Sequence, residues 1–134
     1  MDNCLFCKII KGEIPCYKIY EDEYTLAFLD IAKDIDGHTL VVPKKHCTNI
    51  LDCEQEDLNH MMNTVKLISL HYVKNCGFSG INIINNNGAS AEQVINHLHI
   101  HIIPRMDNDN IKVFPKLDVA KHSLEEILEK IKIK

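Results

Sequence analysis

The sequence predicts an α+β fold with a mostly antiparallel sheet, because strand-like segments outnumber helical ones and come in clusters. Five short segments have the apolar, β-branched composition of strands, and two longer segments carry apolar residues at helical spacing. The chain of 134 residues is long enough for one domain with its own core and too short for two ordinary ones. We therefore expect a single domain over residues 1–134, with a five-stranded sheet, one long helix and a C-terminal helix.

The five predicted strands follow one another in two groups. The segments CYKIYEDE and YTLAFLD form the first pair, joined by an acidic turn at residues 21–23. The third strand, GHTLVVPKKH, is opened by Gly37 and stopped by Pro43. The last two strands are GINIIN and NHLHIHIIP, with the Asn-rich segment NNNGASAEQ between them.

The long helix is predicted to start after Asp52 and to end at Gly77. Asp52 can accept hydrogen bonds from the first free amides, and Gln55 completes a pair that resembles a capping box. Apolar residues between positions 58 and 70 recur close to a period of 3.6, so one face of this helix is expected to cover the sheet.

A second helix is predicted near the end of the chain. Ser123 and Glu126 have capping-box spacing. The apolar residues that follow are spaced i, i+3, i+4, i+7, which predicts an amphipathic helix: Leu124, Ile127, Leu128 and Ile131.

Composition and charge argue against several classes of partner. A formal charge of −4 and a single arginine, Arg105, do not suit nucleic acid as the main partner. The N-terminal segment lacks the apolar run of a signal peptide, and no stretch approaches the length of a membrane span. We therefore expect a cytoplasmic protein that does not bind a membrane, in which the six cysteines are reduced thiols or metal ligands.

Three histidines alternate along the last predicted strand, in the segment NHLHIHIIPR. In an extended chain His97, His99 and His101 share one face, with the imidazoles starting about 7 Å apart. This arrangement suits either a three-histidine metal site or nucleophilic catalysis at phosphorus. The preceding loop, NNNGASAEQ, has the glycine, small residues and amides with which a backbone can approach a phosphate closely.

The pair Cys4 and Cys7 forms a C-x-x-C motif. In a cytosolic chain this motif indicates metal or redox chemistry before a disulfide. A single C-x-x-C supplies only half of a tetrahedral zinc site, so two further ligands would have to come from elsewhere in the chain.

These motifs together resemble the histidine triad (HIT) family. NNGASAEQVINHLHIHIIPR is similar to the family's signature, and CLFCKIIKGEIP and AFLDIAKDIDGHTLVVPKKH are similar to the rest of its sequence pattern. The resemblance implies a HIT-like fold and a homodimeric hydrolase of the Hint type that binds purine nucleotides. It implies cleavage of nucleoside 5′-phosphoramidates or related compounds at the α-phosphorus, with release of the nucleoside monophosphate.

The resemblance also implies a role for individual residues. His99 corresponds to the nucleophile that forms a nucleotidyl-histidine, and His101 favours hydrolysis over transfer, because the transferase branch has glutamine there. His101 and His38 correspond to histidines that contact the phosphate oxygens. Polar contacts to the phosphate and the leaving group fall on Asn86 and Gln93. Contacts to the ribose and the base fall on Asp30, Phe6, Ile9 and Phe28.

The resemblance further implies a structural Zn²⁺ held by Cys4, Cys7, His46 and His97, and no organic cofactor. Two alternatives keep the same site: a dinucleoside polyphosphate hydrolase, or a nucleotide-binding interaction protein with little turnover. The chain departs from the family pattern at Glu92, where glycine is usual, and at Val94, where several members have a serine that contacts the leaving group. A carboxylate at position 92 is unfavourable beside a phosphate unless it points away.

Overall fold

A five-stranded antiparallel sheet forms the centre of the computed structural model, which describes residues 3–134. The strand order is β1-β2-β3-β5-β4, and each neighbouring pair is antiparallel. The predicted α+β class and the five-stranded sheet are therefore confirmed. The strands are β1 (Lys18–Glu21), β2 (Thr25–Leu29), β3 (Thr39–Pro43), β4 (Gly80–Ile84) and β5 (Ile100–Arg105).

The long helix α2, Gln55–Asn75, covers one face of the sheet. As expected, its C-terminal end is followed by Gly77 in the left-handed region, with φ +82°. Its inner face packs with residues of four strands and of the segment before β5. The buried members of this core are Ala27, Val41, Met61, Val65, Ile68, Tyr72, Leu98, Ile100 and Ile102.

A short helix, α1 (Leu5–Ile10), covers the opposite face and was not predicted from the sequence. Six residues are too few to show a helical period. Phe6 is its buried anchor, and the Cys4 side chain caps it by accepting the Cys7 N–H at 3.3 Å. The core on this side consists of Phe6, Leu26, Phe28, Leu40 and Val42.

The predicted cap of the long helix is wrong. Glu54, not Asp52, is the residue before the helix, and its side chain makes no capping hydrogen bond. The Asp52 carboxylate instead accepts the backbone N–H groups of Thr48 and Asn49, both at 3.0 Å. Aspartate side chains commonly bond to nearby loop amides in this way. Here these bonds occupy the carboxylate, so it does not cap the helix.

The predicted histidine strand is shorter than expected. β5 begins at Ile100, so His97 and His99 lie before the sheet pairing starts. The Leu98 N–H donates to the Cys47 carbonyl at 2.9 Å, and the His99 carbonyl accepts from the Asn85 side chain at 2.9 Å. The side chains still alternate, because Leu98 and Ile100 face α2 in the core.

The C-terminal helix α3 spans Leu124–Ile131, and the Ser123 hydroxyl accepts the Glu126 N–H at 3.1 Å, as the spacing predicts. None of its residues is buried within this chain; Leu124 is 81 % exposed and Ile131 is 64 % exposed. Within residues 3–134, no helix is both long and apolar enough to cross a membrane.

Candidate functional site

The Cys4, Cys7, His46 and His97 side chains converge on one point. Their ligand atoms all lie within 4.8 Å of one another. The His97 Nδ1 is 3.3 Å from the Cys4 Sγ, 3.5 Å from the Cys7 Sγ and 3.1 Å from the His46 Nδ1. A tetrahedral zinc centre with bonds of about 2.0–2.3 Å places its ligand atoms roughly 3.5 Å apart. The spacing therefore fits a metal centre, and we call these four residues the metal group.

Hydrogen bonding orients His97 correctly for a metal ligand. Its Nε2 lies 2.9 Å from the Pro43 carbonyl, and because a carbonyl only accepts, this nitrogen carries the hydrogen. The lone pair of a neutral ring is then on Nδ1, facing the two thiols. Burial lowers the pKa of His97 to about 4, so the ring is neutral at pH 7.

The surroundings of the Cys7 thiol also fit a metal ligand. Burial and the neighbouring Cys4 raise the pKa of Cys7 to about 11, so without a positive charge nearby it stays protonated. A bound metal ion would supply that charge and take the thiolate as a ligand. Two cysteines and two histidines are a donor set typical of zinc.

His99 lies outside the metal group and has its own orientation. Its Nδ1 is 2.7 Å from the His97 carbonyl, so Nδ1 carries the hydrogen and the lone pair is on Nε2. Phe6 packs edge-on against this ring, with centroids 5.2 Å apart and an interplanar angle of 77°. An imidazole held in one tautomer with a free Nε2 lone pair is a suitable nucleophile.

His101 and His38 lie beside His99, and we call these three residues the histidine cluster. The His99 and His101 ring centroids are 5.1 Å apart, and the His38 Nε2 is 2.9 Å from the His101 Nδ1. Burial lowers the pKa of His101 to about 4, and the neighbouring His99 and His38 act in the same direction. The three histidines of the triad thus do not share one metal ion: His97 belongs to the metal group, and His99 and His101 do not.

Asp30 joins the histidine cluster to an apolar cavity. Its Oδ2 is 3.7 Å from the His38 Nε2. The cavity has a volume of about 480 Å³, within the usual range for small-molecule sites, and its wall includes Ile9, Phe28 and Asp30. Phe6 is only 2 % exposed and lies behind this wall, against Phe28 and His99.

The loop before the triad is held in place by the Gln93 amide. Its oxygen accepts the Gly88 N–H at 2.8 Å, and its nitrogen donates to the Thr48 and Ile95 carbonyls at 2.7 and 2.9 Å. Among residues 3–134 the Asn86 side chain has no hydrogen-bond partner, which leaves its amide available to a ligand. The phosphate contacts expected of Asn86 and Gln93 remain predictions.

Glu92 occupies a backbone conformation that favours glycine, with φ +68° and ψ +25°. This accounts for the glycine in the family pattern: the position needs a left-handed residue. The Glu92 side chain is exposed, as is Val94, which is 88 % accessible.

Replacing Glu92 by glycine should raise the free energy of unfolding by about 0.5–1 kcal/mol, because it removes the cost of a left-handed non-glycine residue. Urea unfolding of the two proteins measures the difference. The matched control is Ala91→Gly, in the adjacent single turn of 3₁₀ helix, which should destabilise the fold instead. Equal effects of both changes would contradict this explanation.

The lowered pKa of His101 gives the stability a pH dependence. The unfolded chain binds a proton at this residue near pH 6.5, whereas the folded chain does so only near pH 4. The free energy of unfolding should therefore fall as the pH drops from about 6.5 to about 4, by about 1–2 kcal/mol between pH 6.5 and 5. Urea unfolding across this range tests it. His101→Asn should reduce the dependence by this amount and leave the part that comes from His97, whose pKa is lowered in the same way, whereas the exposed His71→Asn should leave it unchanged.

Sequence reasoning missed Asp34. The structure places both of its carboxylate oxygens against the His38 Nδ1, at 2.9 and 3.0 Å. The residue lies in an irregular loop, where no periodicity relates it to His38, so a spacing of four offered no signal. Asp34 contacts His38 only because the loop between them folds back on itself.

Comparison with known proteins gives one consistent result. The HIT domain family matches residues 11–108 of the chain. An uncharacterized HIT-like protein of Methanocaldococcus jannaschii is 47 % identical over 129 residues, covering 96 % of this chain and 98 % of the relative. An adenosine 5′-monophosphoramidase of Schizosaccharomyces pombe is 40 % identical over 107 residues, covering 80 % and 77 %.

One solved structure shares the fold and contains bound zinc. A Zn-bound histidine triad family protein of Mycobacterium smegmatis superposes with a TM-score of 0.78 at 35 % identity, over 87 % of this chain and 85 % of that one. Its fold is thus the fold described above, and its metal is the one that the donor set of the metal group suggests.

Proposed function

Because this chain belongs to the HIT domain family, we propose that it hydrolyses nucleoside 5′-phosphoramidates or related purine nucleotide derivatives at the α-phosphorus. The observation that carries the proposal is the orientation of His99. Its Nδ1–H is committed to the His97 carbonyl, which places the lone pair of the ring on Nε2, where it can act as the nucleophile. The relative named as an adenosine 5′-monophosphoramidase supports this class of substrate.

The reaction has two steps. The His99 Nε2 attacks the α-phosphorus, and the bond to the leaving amine breaks with its electron pair moving to nitrogen, which takes up a proton from solvent water. Water then attacks the nucleotidyl-histidine, releases the nucleoside monophosphate and returns the electron pair to Nε2. We expect His101 and His38 to lie against the phosphate oxygens, where His101 offsets negative charge once it has accepted a proton from the attacking water. Side chains and water supply every group that these steps need, so we expect no organic cofactor.

Substrate binding would use the apolar cavity. Phe28 and Ile9 provide apolar surface for a purine base, and the Asp30 carboxylate, between the cavity and His38, can accept hydrogen bonds from ribose hydroxyls. Asn86 has an amide available for the phosphate. Gln93 would contribute chiefly by holding the loop around Gly88 in position.

The metal group would hold a structural Zn²⁺. The four protein ligands fill a tetrahedral shell and leave no open position for a substrate or a reactive water. The ion would join the first turn of α1 to the segment that carries the triad. We further propose that residues 1–134 form one HIT-like domain that works in the cytoplasm, where thiols remain available for metal.

We also propose a homodimer built on the outer face of α2 and the neighbouring edge strand β4. This patch includes exposed apolar residues, among them Met62, Leu70, Val73 and Ile83. β4 is an outer strand of the sheet, so its free backbone groups can pair with a second copy. A contiguous apolar surface beside a free strand edge is typical of an interface.

Leu70→Glu should convert the dimer to a monomer, because it places a charge in the middle of this patch. Analytical ultracentrifugation at micromolar concentration measures the mass. The matched control is Leu67→Glu, which changes a residue that is 49 % exposed on the same helix but does not line the patch. A wild-type chain that sediments as a monomer would contradict the proposal.

Intact-protein mass spectrometry tests the proposed reaction. The protein is mixed with adenosine 5′-phosphoramidate and quenched without acid within milliseconds to seconds, while free AMP is measured in parallel. The expected result is an added nucleotidyl mass together with accumulating AMP. A protein that binds AMP but neither acquires the mass nor releases AMP would contradict the proposed function.

A further inference from the structure

The loop between β2 and β3 places a carboxylate behind the histidine cluster. Asp34 accepts a hydrogen bond from the His38 Nδ1, with its two oxygens at 2.9 and 3.0 Å, and a second from the Ile35 N–H at 2.8 Å. Burial raises the pKa of Asp34, but the interactions with His38 and with nearby backbone N–H groups together outweigh it and leave the pKa below its ordinary value. The group facing His38 is therefore an ionised carboxylate at neutral pH.

This carboxylate determines the direction of the next hydrogen bond. An ionised carboxylate only accepts, so the His38 Nδ1 carries the hydrogen. In the neutral form of the His38 ring the lone pair is then on Nε2, and the His101 Nδ1, 2.9 Å away, donates to it. It follows that the Nε2 of neutral His101 is a proton acceptor.

The ligand atoms of Asp30, His38 and His101 also lie within 4.8 Å of one another, which raises the question of a second metal ion. The contact between the two rings argues for a hydrogen bond instead. The His38 and His101 nitrogens are 2.9 Å apart while the ring centroids are 5.2 Å apart, so the rings meet nitrogen to nitrogen. Two lone pairs that already share one hydrogen are not both available to a cation.

We propose that Asp34 is a positioning residue which, through His38, makes His101 the base that accepts a proton from water when the nucleotidyl-His99 intermediate is hydrolysed. The inference rests on the proposed function. Asp34 touches neither substrate nor the reacting atoms; it acts by fixing the tautomers of two imidazoles in series. A carboxylate that orients a catalytic histidine through its second nitrogen is an effective device in other hydrolytic sites.

The step balances. The water oxygen forms a bond to the α-phosphorus, the bond between phosphorus and the His99 Nε2 breaks, and the bonding pair returns to that nitrogen. The water proton moves to the His101 Nε2. His101 is then positively charged, stabilised by its Nδ1–H bond to His38 and by the Asp34 charge beyond it. The new Nε2–H faces the phosphate oxygens as a donor and is later released to solvent.

The test separates the two chemical steps in Asp34→Asn and Asp34→Ala. Asp34 is 52 % exposed, so these variants should fold. Formation of the nucleotidyl enzyme should stay near the wild-type rate, while its hydrolysis slows by about 10–100-fold, the range seen when the hydrogen-bond partner of a metal-binding histidine is removed. The nucleotidyl form should therefore accumulate during turnover. Asp36→Asn, two residues along the same exposed loop, is the control that should match the wild type.

A second readout does not depend on turnover. In substrate-free protein with ¹⁵N-labelled histidine, long-range ¹H–¹⁵N spectra should show His38 with its hydrogen on Nδ1 in the wild type and in Asp36→Asn. Asp34→Ala should shift His38 toward the Nε2–H form, the signal being assigned with His38→Gln. A purely structural role of Asp34 would slow both chemical steps and leave this tautomer unchanged.

Two outcomes distinguish this inference from the proposed function. If the wild type labels and turns over but the intermediate in Asp34→Asn and Asp34→Ala has the wild-type lifetime, the role of Asp34 is disproved and the proposed function stands. If the wild type neither labels nor turns over, both are disproved. Accumulation of the intermediate together with the tautomer change supports the inference.

Discussion

Replacement of His99 by alanine is expected to lower kcat/KM for adenosine 5′-phosphoramidate by about 10⁴-fold or more. The reason is that covalent catalysis through an imidazole is lost entirely when the ring is removed, and loss of a nucleophile costs this much in other hydrolases. Nucleotide binding should change little, because Asp30, Phe28 and Ile9 remain in place around the cavity. Steady-state release of AMP and equilibrium binding of AMP measure the two quantities separately.

His99→Gly offers a sharper version of this experiment. Because His99 is 8 % exposed and packs against Phe6, removal of its ring leaves a space of imidazole size at the position of the nucleophile. Added imidazole should restore part of the turnover, while the protein itself remains unlabelled in the mass spectrum. The control, His71→Ala on the exposed face of α2, should behave as the wild type. An His99 variant that still acquires the nucleotidyl mass would contradict the assignment.

The sequence was most informative where chemistry and pattern coincide. The alternation of histidines with Leu98 and Ile100 correctly predicted which side chains enter the core, because an extended chain fixes this alternation whether or not a sheet pairs with it. It could not show that the imidazoles have different partners. The tautomer of His99 depends on the carbonyl of His97, and that contact follows from how the segment bends before β5.

Other features depend on loops, which no periodicity describes. Asp52 is of a residue type that often caps helices, but it bonds to loop amides instead. Asp34 reaches His38 only because the loop around it folds back. The left-handed conformation at Glu92 was not predicted either, because glutamate gives no sign of positive φ. For Asp52, competition from backbone N–H groups of the loop decided the outcome.

Cys7→Ser is expected to abolish metal binding and to lower the melting temperature by roughly 10–20 °C. A metal ion whose free concentration is about 1,000 times its dissociation constant adds about 4 kcal/mol to the free energy of unfolding. For a chain of this size, that free energy corresponds to a change of roughly 10–20 °C in the melting temperature. Metal analysis should find one zinc per wild-type chain and less than a tenth of that in the variant. A strong chelator should lower the wild-type melting temperature to the same value.

The exposed Cys76→Ser is the matched control and should keep both the metal and the melting temperature. A wild-type protein that purifies without zinc and melts at the same temperature with or without added zinc would contradict the prediction.

Loss of the metal should also disturb the orientation of the proposed nucleophile, His99. The Nδ1 of His97 faces the metal group, and its backbone carbonyl holds the Nδ1–H of His99. Releasing His97 therefore loosens the carbonyl that keeps the lone pair of His99 on Nε2, so the metal-free protein should lose kcat more than it loses affinity for AMP. A structural ion two residues from the nucleophile would in this way set the tautomer on which the proposed chemistry depends, without taking part in it.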